Sequence, residues 1–98
     1  MAKGDVVLAK ASSGEPIVRR VWAEEADKIV IVHEDYYNRA LQQNVAPWTY
    51  AVEKTNVFKQ DEKLFKELET AYQQKRKGNT ASAAQLDKLW TQAKPYTK

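Results

Sequence analysis

Two hydrophobic periods divide the chain. Up to Phe58 the apolar residues alternate with polar ones or form short runs, the spacing of strands; from Asp61 onward they return at helical spacing. "DVVLAKA" (Asp5 to Ala11) is rich in β-formers, and "SSGEP" after it clusters turn formers, with Gly14 free for positive φ and Pro16 setting the chain direction. "IVRRVW" (Ile17 to Trp22) and "KIVIVH" (Lys28 to His33), separated by "AEEAD", predict a hairpin. Alternation puts Ile17, Arg19 and Val21 on one face and Val18, Arg20 and Trp22 on the other. Ile29 and Ile31 oppose Val30 and Val32, so both faces of that strand are apolar and both are expected to be covered. "WTYAVEKTNVF" (Trp48 to Phe58) predicts a further strand with Trp48, Tyr50 and Val52 pointing inward. So many short strands in so little chain predict a small, strongly bent antiparallel sheet or barrel, because closure hides edges that nothing else could cover.

In the second half, Leu64, Phe65, Leu68, Ala71 and Tyr72 form the stripe of an amphipathic helix opening at Asp61, a predicted N-cap. The basic run Lys75, Arg76, Lys77 suits a helix C-terminus, and Gly78 ends it. "SAAQ" (Ser82 to Gln85) has the spacing of a capping box, and Leu86, Leu89, Trp90 and Ala93 mark a second stripe before Pro95 stops it. The short connection between them makes the helices antiparallel neighbours. Neither buries its stripe alone, so the pair is expected to pack on itself and on the sheet, or to offer its remaining apolar face to a second subunit.

The opening strand adds a family to this outline. "GDVVLAK" followed by "GEP" resembles the start of PWWP and Tudor-type domains, through Gly4, Asp5, Val7, Ala9, Lys10, Gly14 and Pro16. The resemblance covers about a fifth of the chain, and it implies an SH3-like small barrel with appended helices. Glu15, Ile17 and Val18 stand where that family places aromatics of its methyl-lysine cage, and such a cage needs ring faces. The implication therefore stops at the fold. The expected architecture is α+β: a small SH3-like antiparallel β-barrel over residues 1–58, then a C-terminal two-helix hairpin over 59–98, in a single domain.

Length and composition narrow the function. Ninety-eight residues, 43% hydrophobic and 30% charged, leave no room for two full cores. No run approaches a membrane span, and "MAKGDVVLAK" lacks the apolar region of a signal peptide, so a cytoplasmic location without membrane contact is expected. The absence of cysteine fits that compartment and removes disulfides and thiolate chemistry. With a single histidine, no cysteine and no calcium-loop pattern, no metal site or other cofactor is predicted.

The densest candidate chemistry lies in "HEDYYNRALQQNVAPWTY", His33 to Tyr50. His33, Glu34 and Asp35 are adjacent, but neighbours on a strand point to opposite faces, and no nucleophile or partner base is spaced to join them. A non-enzymatic interaction module is therefore expected, holding a protein or small ligand through Tyr36, Tyr37, Arg39 and Trp48, residue types that anchor interfaces. A structural alternative has Tyr37, Ala40 and Leu41 on a short helix packing on the sheet while Trp48 fills the core. Charge suggests a second function. Residues 1–58 carry seven Lys/Arg against eight Asp/Glu, and 59–98 carry nine against five. This excess permits nucleic-acid binding, with Arg19, Arg20, Lys75, Arg76 and Lys77 as candidate phosphate contacts. Self-association of the aromatic surface and helical stripe is a third possibility, leaving monomer and homodimer both open.

Overall fold

The computed structural model describes residues 3–96. Five strands, β1 (Val6–Lys10), β2 (Pro16–Glu24), β3 (Lys28–Val32), β4 (Thr49–Glu53) and β5 (Val57–Lys59), form one antiparallel sheet in the order β4-β3-β2-β1-β5. Three helices accompany it: α1 (Glu34–Gln43) between β3 and β4, and α2 (Glu62–Arg76) and α3 (Thr80–Trp90) after β5. A single 3-10 turn, Lys54–Asn56, links β4 to β5. The α+β class and the C-terminal helical pair agree with the sequence reading.

Two expectations need correction. The sheet is open rather than a closed barrel: β4 and β5 are its edges and do not pair with each other. And among the described residues the helices number three rather than two, because α1 interrupts the strands.

The sheet is covered on both sides along β1. Val7 and Ala9 face a cluster completed by Val21, Ile29, Ile31 and Val57, with Ile17, Val52 and Tyr96 at its margin. Leu8, between them in sequence, points the opposite way and joins Leu64, Leu68, Ala71, Leu86, Leu89 and Trp90 of the helical pair. All three β1 side chains are fully buried. At about 25 cal/mol per Å² of apolar surface, a Leu so enclosed contributes roughly 1.5–3 kcal/mol. On β3 the two faces differ: Ile29, Ile31 and Val32 are buried, and Val30 is half-buried.

Local signals set the helix ends. The Asp61 carboxylate accepts the Leu64 N–H at 3.1 Å, as an N-cap should. The predicted cap of the last helix is displaced. Asn79 caps it, its side-chain oxygen accepting from the Ala81 N–H at 3.1 Å, and Ser82 lies buried within the helix. Asn79 follows Gly78, whose φ of +93° turns the chain between α2 and α3, so the cap falls three residues before the sequence places it.

Two long-range ties bind the parts together. The Trp90 indole N–H donates to the Gly14 carbonyl at 3.1 Å, holding α3 to the β1–β2 turn. The C-terminal segment returns to β5: Lys59 N–H donates to Lys94 O at 2.8 Å and Tyr96 N–H to Val57 O at 3.1 Å, while the Tyr96 hydroxyl donates to the Asp5 carboxylate. The outer edge of β5 is thereby occupied by the chain's own tail. At the opposite side, Lys54 pairs with Glu24 at 2.8 Å, and this hydrogen bond holds the Glu24 carboxyl below the usual range.

Candidate functional site

His33 begins the site as the N-cap of α1. Its Nδ1 accepts the Asp35 N–H at 3.1 Å, satisfying one of the donors left free at the start of α1, and Glu34 and Asp35 suit the positive end of the helix. The three groups that are adjacent in sequence thus act together in starting a helix. Ten residues on, Asn44 adopts φ +54°, and the N–H groups of Asn44 and Val45 both return to the Ala40 carbonyl. The chain then leaves α1 as the apolar segment Val45, Ala46, Pro47, Trp48 and enters β4.

That exit builds a cleft. Tyr36, Arg39 and Ala40 stand at i, i+3 and i+4, one face of α1, and the segment 45–48 runs past them to close a space of about 210 Å³. Ala40 is its buried floor, 4% exposed. Trp48 stands on the rim, 85% exposed. The Arg39 guanidinium lies 5.7 Å from the Tyr36 ring centre, and the His33 ring approaches the same tyrosine at 5.8 Å. Arg39 is the only lining residue with a formal charge, so the cleft combines apolar and aromatic walls with one cation.

The sequence candidates divide accordingly. Tyr36, Arg39 and Trp48 come together in the cleft. Tyr37 does not: it points to the sheet, meeting Trp22 edge-on at 6.1 Å, with the Arg20 guanidinium 5.6 Å from its ring. A bulge explains this meeting. Val21 pairs with Ile31 and Ala23 with Val30, so Trp22 is the extra residue of β2 and has no partner on β3. The structural alternative is half realised. Tyr37 and Ala40 do pack the helix inward, but Leu41 is 58% exposed and Trp48 is outside the core. The inward face expected from Trp48, Tyr50 and Val52 holds only at Val52, which packs at the margin of the interior cluster, while Tyr50 on the edge strand β4 is 46% exposed. Val45, Ala46 and Pro47 were missed as lining residues. Their signal was an apolar run too short for an element, placed between a helix end and a strand.

The basic candidates are scattered. Arg19 donates from Nε to the Tyr50 hydroxyl at 3.2 Å and from Nη1 to the Val18 carbonyl. Arg20 donates to the Gly4 carbonyl at 2.8 Å and pairs with Glu34 at 2.7 Å. Lys75, Arg76 and Lys77 are exposed at the end of α2. Among the described residues no group of three or more His, Asp or Glu side chains could hold a metal ion, and no helix is long and apolar enough to cross a membrane. Comparison with known proteins finds no matching family model, no matching curated protein and no matching solved structure.

Proposed function

We propose that this chain is a small non-enzymatic binding module that grips a segment of a partner protein in the cleft between α1 and residues 45–48. The observation that carries the reading is Trp48: an indole 85% exposed at the rim of a concave, partly apolar space. Leaving so large an apolar side chain in water gives up burial that a small domain needs, and tryptophan beside arginine and tyrosine is the composition of interface anchors. His33, the chain's one histidine, already has its Nδ1 engaged at the helix start, which favours binding over acid–base chemistry.

The finer architecture we read as an SH3-like small barrel left open, in keeping with the meander of β1 to β4 and the return of β5 to β1. The absence of cysteine supports a cytoplasmic setting. Nucleic-acid binding is the weaker reading. Arg19 is engaged by Tyr50 and Val18 and Arg20 by Gly4 and Glu34, so that reading rests on Lys75, Arg76 and Lys77, whose charge the end of α2 already accommodates.

The test is selection of a displayed random-peptide library on the intact protein, followed by titration of the recovered peptides against Trp48→Ala and Arg39→Ala. Loss of affinity by about tenfold or more is expected for both, with thermal unfolding nearly unchanged because both positions are at the surface. Peptides that bind both variants as well as the parent would remove the cleft from consideration.

A further inference from the structure

Of the two edges of the sheet, only one is occupied. The tail covers β5, whereas β4 pairs with β3 on one side and has no backbone partner on the other among the described residues. Edge strands are normally guarded by proline, charged side chains or a bulge, and in Thr49–Glu53 the one such guard is Glu53 at its end. Beside Tyr50 and Val52 the molecule opens into a cleft of about 380 Å³ that reaches Ile17 and the corner at Lys10 to Ser12. Five of the six large apolar residues exposed among the described residues, Tyr36, Leu41, Val45, Trp48 and Tyr50, fall in the segment that leads into this edge.

The register shows which groups are free. Each residue of β4 pairs with β3 in an unbroken ladder, from Val32 opposite Thr49 to Lys28 opposite Glu53, and continuing it one step sets Asp27 opposite Lys54. The Lys54 N–H donates to the Asp27 carbonyl at 3.2 Å, so that pair is hydrogen-bonded. In an antiparallel ladder hydrogen-bonded and non-bonded pairs alternate, so Val52 and Tyr50 bond to β3 while Glu53, Ala51 and Thr49 turn their N–H and C=O groups outward.

We infer that this edge pairs with the same edge of a second copy, antiparallel and centred on Ala51. The three outward-facing residues are symmetric about Ala51, so a two-fold axis there matches donors with acceptors on both copies. Ala51 faces Ala51, Thr49 faces Glu53 in both directions, and about six inter-strand hydrogen bonds form. No like charges meet: each Glu53 lies opposite a threonine, and Tyr50 of one copy packs beside Val52 of the other. A small alanine on the axis lets the strands approach. Because the tail occupies β5, an edge-to-edge chain of β4 on β5 is blocked, and pairing closes at two subunits. The inference does not rest on the cleft around Trp48.

The experiment is sedimentation equilibrium of the full chain up to the highest soluble concentration, with three variants. A concentration-dependent rise from 11.2 kDa to twice that mass is expected. Ala51→Pro removes an outward N–H and leaves the β3 ladder intact, so the dimer should vanish while circular dichroism is retained. Thr49→Glu sets carboxylates opposite each other and should weaken the dimer about fivefold, and Thr49→Lys should strengthen it about fivefold. The lysine result is diagnostic. The chain carries a net charge of +3, so repulsion between whole molecules would give the opposite order. A monomer at every concentration overturns the proposal. So does a dimer indifferent to both Thr49 substitutions, which would place the contact on the helices or the aromatic surface.

Discussion

At Gly4 the backbone takes φ +96°, and a Cβ there would come within 2.6 Å of the Tyr37 hydroxyl. The residue serves three neighbours at once: its N–H donates to Val21 O at 2.7 Å, its carbonyl accepts from Arg20, and Tyr37 lies against it. Arg20 in turn bridges to Glu34 at the start of α1. Gly4→Ala is therefore expected to cost about 1–3 kcal/mol, from backbone strain and from displacement of Tyr37. Gly78→Ala is the control: it has φ +93° but nothing within 4 Å, and only the strain should appear. Urea unfolding of the two variants separates these contributions, and equal losses would show that Tyr37 yields freely.

Among the elements, those with a complete local code were legible. The helix over Glu62–Arg76 had its cap, its apolar stripe and its glycine stop in sequence order, and all three hold. The last helix had a stripe that held through Trp90, an end that came there, short of Ala93 and Pro95, and a cap that was displaced. Ser-x-x-Gln spacing is a correct signal for a helix start, but Asn79 beside Gly78 offers one a turn earlier, and the chain uses it. The measurable difference is plain. Asn79→Ala should lower stability by about 1 kcal/mol, whereas Ser82→Ala, inside the helix, should lower it little. The reverse order in thermal unfolding would restore Ser82 as the cap. The segment from Glu34 to Trp48 was harder to read, because its helix buries only Ala40 fully and its face toward β2 is set by a bulge at Trp22 that no sequence pattern announces. The cleft was visible in residue types; its walls depend on where Asn44 turns the chain.

On the scale of the whole molecule, alternation foresaw an antiparallel sheet with helices against it and could not foresee that the edges stay apart. The tail explains part of this. Tyr96 reaches the margin of the interior cluster, its hydroxyl meets Asp5, and its backbone joins Val57, so residues 91 apart in sequence hold one end of the sheet. Nothing in "KPYTK" signals a pairing strand, and Pro95 marked only a helix stop. Tyr96→Ala should cost about 2–4 kcal/mol, since it removes both ring and hydroxyl from a packed position. Tyr96→Phe, which keeps the ring, should cost about 1–2 kcal/mol. Equal and small losses in denaturant titration would mean that the tail rests on the sheet without supporting it.

The exposure of Trp48 also has an optical consequence. The three indoles occupy three surroundings: Trp48 is open to water, Trp22 is half-buried under Tyr37, and Trp90 is 5% exposed between α3 and the sheet. Iodide in the solvent will quench the first before the others, and a ligand entering beside α1 will shift that red-edge emission alone. Unfolding of the helical pair will instead move the blue component from Trp90. The chain thus carries its own dye-free reporters, one for the cleft and one for the fold.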